Sequence, residues 1–110
     1  MVITSSYLSR DLFLGFVKLH ILYHAGQRPV YGLWLIEELA RHGYEMSAGT
    51  LYPMLHGLEE EGLLVSERQV VEGKMRKYYR LTETGAEALD QGREKAIELL
   101  DEICEEDAHR

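Results

Sequence analysis

Apolar residues recur at helical spacing over residues 11–25, where Leu12, Phe16, Leu19 and Tyr23 form a stripe flanked by Phe13, Val17 and Ile21. A stripe this broad predicts a first helix with a deeply packed face, ended by Gly26 and Pro29. Over residues 30–42, Leu33, Ile36, Leu39 and Ala40 share one side and Glu37, Glu38 and Arg41 the other, predicting a second helix that stops at Gly43. Ser47 stands where an N-cap belongs, ahead of Leu51, Met54, Leu55 and Leu58, and Gly62 is placed as the C′ stop of this third helix. Pro53 interrupts that pattern. It removes a backbone donor and crowds the carbonyl of Gly49, so a distorted first turn or a later start is expected.

Beyond Gly62 the period changes. Residues 64–71 and 76–81 are short, rich in Val and Tyr, and separated by Glu72-Gly73-Lys74, which predicts a β-hairpin turning near Gly73. Its register does not follow from the pattern. Thr82 then caps a fourth helix over residues 83–106, with Leu89, Ala96, Leu99, Leu100 and Ile103 on a roughly heptad stripe and an acidic opposite face. Three compact helices, a hairpin and a long helix describe a mainly α fold with a small hairpin (α+β): a winged helix-turn-helix over residues 1–82 and a helical extension over 83–110. A single chain leaves no core for the extension, so it is expected to pack on a second copy through Leu89, Ala96, Leu99, Leu100 and Ile103.

The chain has 110 residues, 45% of them hydrophobic and 28% charged, which suits one small globular core and excludes disordered or fibrous classes. A core this small gains from a partner, which again points to a homodimer. The apolar run at residues 12–17 is preceded by Asp11 and followed by Lys18 and His20, too short and too charged for a membrane span or a signal segment. A lone cysteine, Cys104, rules out an internal disulfide framework and suits the cytoplasm.

The net charge of −7 argues against nucleic acid until it is divided by position. Residues 1–84 hold nine Lys/Arg against ten Asp/Glu, whereas residues 85–110 hold three against nine. Within residues 66–82, five cations (Arg68, Lys74, Arg76, Lys77, Arg80) face two anions (Glu67, Glu72). Charges beyond about 8 to 10 Å are screened, so the local basic patch governs what this surface attracts.

Two blocks carry a family likeness. Gly49-Thr50-Leu51-Tyr52-Pro53-Met54-Leu55 followed by Leu58-Glu59-Glu60-Glu61-Gly62-Leu63-Leu64, and Gly73-Lys74-Met75-Arg76-Lys77-Tyr78-Tyr79-Arg80-Leu81-Thr82 followed by Thr84-Gly85, resemble the recognition helix and wing of the phenolic acid decarboxylase repressor (PadR) family. With Tyr31-Gly32 opening the second helix, the likeness covers residues 31–89. It implies a dimeric, repressor-like reader of double-stranded DNA whose dimer is built by the last helix, in the short subfamily with one such helix. It also implies DNA-facing roles for Tyr31 and Pro53. The chain departs from the family at Leu33-Trp34, where an aromatic and an acidic residue are common. The last helix has no tryptophan to stack on flat effectors.

A recognition helix needs short polar or aromatic side chains at its N-terminal end, where free N–H groups also favour phosphate. Ser47, Thr50, Tyr52 and His56 meet that need. Thr50 and His56 suit base edges, whereas Ser47 and Tyr52 equally suit phosphates, a cap, or packing between the second and third helices. A wing needs cations near its tip, which Lys74, Arg76 and Lys77 supply, with Tyr78 facing out and Tyr79 facing the core. Glu59-Glu60-Glu61 is expected to be a solvated helix end.

Other chemistries find little support. His20 and His24 are spaced for a metal, but no further ligand follows at a recognisable interval, so they are expected to be structural and no metal or cofactor is assigned. Cys104 with His109 is expected to be passive. No nucleophile elbow or phosphate loop is present, which leaves no enzyme class. A protein-interaction module that has lost DNA binding is the competing reading, and the cations of the wing speak against it. An effector pocket lined by Phe13, Phe16 and Trp34, between the first helix and the paired last helices, is a further expectation, as is docking of Tyr7 and Leu8 on the dimer.

Overall fold

The computed structural model describes residues 6–108. Its elements run α1 (Ser6–Gln27), β1 (Val30–Tyr31), α2 (Gly32–Arg41), α3 (Ala48–Glu60), β2 (Leu64–Val71), β3 (Lys74–Leu81) and α4 (Glu83–Ala108). The α1 helix is longer than the expected 11–25. It begins ahead of Asp11 with Tyr7 and Leu8, and Gly26 does not end it. Leu81 of β3 rests directly over Gly26, where a side chain would collide, so this glycine serves packing and Pro29 marks the stop.

Val30 and Tyr31 do not open the second helix. Following Pro29 they stay extended and add a third strand, in sheet order β1-β3-β2, with Val30 opposite Tyr79 and Tyr31 opposite Tyr78. The expected hairpin is present, and β3 begins at Lys74 rather than Arg76. Val71 pairs with Lys74 across a two-residue turn in which both Glu72 (φ 52°) and Gly73 (φ 78°) are left-handed. This is the geometry that matches strand twist, and it places Lys74 at the tip.

The α3 helix passes through Pro53 without a break and starts at Ala48, not later. The missing donor falls within its second turn, and the N–H groups of Thr50 and Leu51 both donate to the carbonyl of Ser47, at 3.1 and 3.0 Å. Ser47 takes the cap position in backbone terms, but its hydroxyl pairs with that of Thr50 at 3.3 Å instead of capping an N–H. At the far end the N–H of Gly62 donates to Glu59 and that of Leu63 to Leu58, the expected glycine stop. A matching stop at Gly43, with Tyr44 N–H donating to Leu39, leaves His42 as the C-cap of α2.

Val17, Ile21, Leu35, Leu39, Leu51, Leu55 and Leu64 are fully enclosed where α1, α2, α3 and the sheet meet, and Val30 and Tyr79 close the core from the strands. Each such side chain contributes roughly 1.5–3 kcal/mol of burial. Thr82 accepts the N–H of Gly85 at 2.9 Å and donates to the carbonyl of Gly62 at 2.5 Å, capping α4 as expected and tying it to the end of α3. The first half of α4 then finds a place within the chain after all, with Ala88 and Leu89 packed on the core and Gly92 under Leu19 of α1. The second half extends outward and carries Ile97, Leu99, Leu100 and Ile103, each about half exposed. No helix among the described residues is long and apolar enough to cross a membrane.

Candidate nucleic-acid interface

A cleft between the start of α2, the outer side of α3 and the wing gathers Tyr31, Tyr52, His56, Lys74, Arg76 and Lys77. These six come from three elements, and each is held by a local cause. Tyr52 is placed by Gly32, where any side chain would collide with its ring, so the tyrosine packs at the α2–α3 junction while remaining half exposed. Tyr31 is carried by β1, and its ring meets Tyr78 edge-on at 5.4 Å. The Arg76 guanidinium lies 4.3 Å over the Tyr31 ring, a cation–π stack that orients the charge without neutralising it. Hydrogen bonding with Tyr78 raises the Arg76 pKa further, so this group stays cationic.

The wing cations are not equivalent. Lys77 lies 3.6 Å from Glu59 and Arg80 is 2.9 Å from Glu67, whereas Arg68, Lys74 and Arg76 form no ion pair among the described residues. Lys74 and Arg76 therefore offer their charge to an outside anion at least cost. Arg68, counted in the basic patch but not singled out from the sequence, sits opposite Lys77 on β2.

Ser47 and Thr50 lie just outside this cleft, exposed at the N-terminal end of α3. Pro53 lines a different cleft, with Gly15 and Lys18 of α1 and Ala88 of α4, which favours a packing role over a DNA-facing one. His56 is exposed, and its Nε2 lies 2.8 Å from a Glu60 carboxylate oxygen, so an anion accompanies it.

The acidic end of α3 is not uniformly solvated as expected. Glu59 accepts hydrogen bonds from the Ser66 hydroxyl at 2.6 Å and the Ser66 N–H at 3.1 Å, which fastens α3 to the wing. The Ser66 hydroxyl, aided by Lys77, holds the Glu59 carboxyl below its ordinary pKa against the opposing effect of burial.

A second cluster adds a third histidine that the sequence spacing of His20 and His24 does not reveal. The C-cap position of α2 brings His42 onto them, and one ring nitrogen of each lies within 4.8 Å of the others. The His20 and His42 rings stack at 4.8 Å between centroids. Glu38 Oε2 lies 3.1 Å from His42 Nε2 and 3.7 Å from His24 Nε2. Burial lowers the pKa of both His20 and His24, helped by mutual repulsion among the imidazoles. Burial works against ionisation of Glu38, but the His42 hydrogen bond and nearby Arg41 and His24 outweigh it, and the carboxyl titrates lower than usual.

The three histidines border a groove of about 400 Å³ between α1 and α4, with Phe16, Leu19, Tyr23, Leu89 and Arg93. Of the expected effector-pocket residues, only Phe16 lines it. Phe13 packs edge-on to Tyr44 at 5.3 Å, and Trp34 lies against His24 at 5.4 Å. Tyr7 and Leu8 are exposed on α1, Cys104 is exposed on α4, and His109 lies outside the described residues.

Residues 21–91 match the model of the transcriptional regulator PadR-like family. The chain is 52% identical over 93 residues to transcriptional regulator Rv3488 of Mycobacterium tuberculosis, spanning 84% of this chain and 87% of that one. Its fold is similar to a PadR family transcriptional regulator from Eggerthella lenta (TM-score 0.78, 35% identity, 91% of this chain and 88% of that one). A PadR-like transcriptional regulator from Bacillus cereus is also similar (TM-score 0.74, 27% identity, 91% and 95% covered).

Proposed function

Since the chain belongs to the PadR-like family of transcriptional regulators, we propose that it is a homodimeric reader of double-stranded DNA that acts as a repressor at a two-fold related operator in the cytoplasm. The observation that carries this reading is the cleft in which Lys74 and Arg76 stand beside α3, with neither in an ion pair among the described residues. In this reading α3 enters the major groove, with Thr50 and His56 toward base edges and Ser47 and Tyr52 toward phosphate. Lys74, Arg76 and Lys77 lie along the adjacent backbone, and Tyr31 and Tyr78 hold Arg76 in place. Half-sites are then spaced by about one helical turn of DNA or a multiple of it.

The exposed Ile97, Leu99, Leu100 and Ile103 support pairing of α4 with its copy, a seam to which Leu89 and Ala96 add where the helix leaves the core. The residues 1–82 then form the reading unit and 83–110 the pairing helix. The groove between α1 and α4 is the place for an effector, if this regulator responds to one.

Titrating salt against binding to a duplex tests the proposal. With six to ten phosphates neutralised per dimer, log affinity falls with log salt at a slope of about −5 to −9. A slope near zero would contradict it. Leu99→Asp places a charge in the seam and converts the sedimenting dimer to monomer, and an unchanged dimer would remove α4 from the interface.

A further inference from the structure

We propose that His20, His24 and His42 form a binding site for a borderline divalent cation of the zinc class, which clips α2 to α1. The three imidazoles reach one point from two helices: His20 and His24 are one turn apart on α1, and His42 is held at the end of α2 by the glycine stop at Gly43. Imidazole ligands select late first-row metals over calcium and magnesium, which require oxygen donors. A tetrahedral zinc site with bonds of about 2.0–2.1 Å separates its nitrogens by roughly 3.3 Å. The present spread of up to 4.8 Å closes with modest rotation, and His42 is free to make it because its side chain is 46% exposed.

Glu38 completes the arrangement as a positioning residue. Its carboxylate lies within 3.1 and 3.7 Å of ring nitrogens of His42 and His24, where an acceptor orients metal-binding imidazoles and leaves their other nitrogens to face the ion. The fourth coordination place opens toward the groove between α1 and α4.

Because α2 packs on α3 and α1 packs on α4, occupancy would fix the α2–α3 pair against α1 and α4. This consequence for DNA rests on the function proposed above, but the site itself does not. The test is therefore metal uptake by the full chain without DNA. In competition with a chromophoric chelator, the wild-type protein takes up one zinc ion per chain, and cobalt substituted for zinc gives the visible spectrum of a tetrahedral nitrogen site.

His42→Ala and His24→Ala each lower zinc affinity by at least about 100-fold, with unchanged far-ultraviolet circular dichroism. Glu38→Gln lowers it about 10- to 100-fold while the cobalt spectrum keeps its tetrahedral form. Cys104→Ser leaves uptake unchanged. Absence of stoichiometric uptake by the wild type overturns the proposal, as does uptake that survives both histidine substitutions or disappears with Cys104→Ser.

Discussion

The wing cleft and the histidine cluster are both rich in nitrogen, yet they suit opposite kinds of partner. In the cleft, Lys74 and Arg76 project from a hairpin tip, Arg76 is braced by an aromatic ring, and neither meets a carboxylate among the described residues. Lys74 is exposed and Arg76 partly so, an arrangement that fits a partner whose negative charge is spread along a surface. In the cluster, two of three imidazoles are partly buried, all three converge on one point, and Glu38 is the carboxylate beside them. Such a site suits a single compact cation. Burial and the location of carboxylates, more than the count of basic residues, divide the two.

The largest way to break this comparison is the double variant Lys74→Ala, Arg76→Ala. Four charges are lost per dimer, so DNA affinity should fall by about 100- to 1,000-fold at 0.15 M salt and the salt slope should shrink by about 2 to 4. Zinc affinity should not change. Fluorescence anisotropy and chelator competition check the two arms, and a shift in both would mean the regions are not independent.

Thr50→Ala and His56→Ala sharpen the cleft from within. Each should alter the preferred sequence, at about tenfold between best and second-best duplex, and leave the salt slope alone. A uniform loss on all duplexes would move these residues to the phosphate-contacting group.

Glu59→Gln is smaller and acts on stability. The folded carboxyl titrates below its unfolded value, so its contribution is present above the unfolded pKa and lost as pH falls through the folded one. Denaturant unfolding at neutral pH should show a loss of about 1 kcal/mol, narrowing as the medium becomes acidic. A loss that does not depend on pH would mean the ionised form is not what holds Ser66. The smallest effect is expected of His42→Ala on DNA binding without metal, which should stay within about twofold of wild type.

What could be read from the sequence follows the range of the interactions. The turn at Glu72-Gly73, the cap at Thr82 and the stop at Gly62 are decided by neighbours a few residues away, and the structure has them where expected. The family blocks likewise lie within short stretches. The strand at Val30–Tyr31 was hidden because its pairing partner, Tyr78-Tyr79, lies far along the chain, and two residues carry no period. Gly26 read as a helix end because nothing local reveals that Leu81 lies over it. The cluster was hidden for the same reason: His20 and His24 display their spacing, but His42 joins them only through the packing of α2 on α1. Glu59 read as one of three solvated acids because Ser66 is brought to it by the wing.

Selection of bound duplexes from a random library by the purified protein at about 150 mM salt, where nonspecific binding is weak, tests the central claim most directly. Enrichment of a two-fold symmetric site with half-sites about one helical turn apart, lost in the Lys74→Ala, Arg76→Ala variant, is the expected result. A folded dimer that enriches no sequence, or one that selects a single unpaired half-site, would contradict the account.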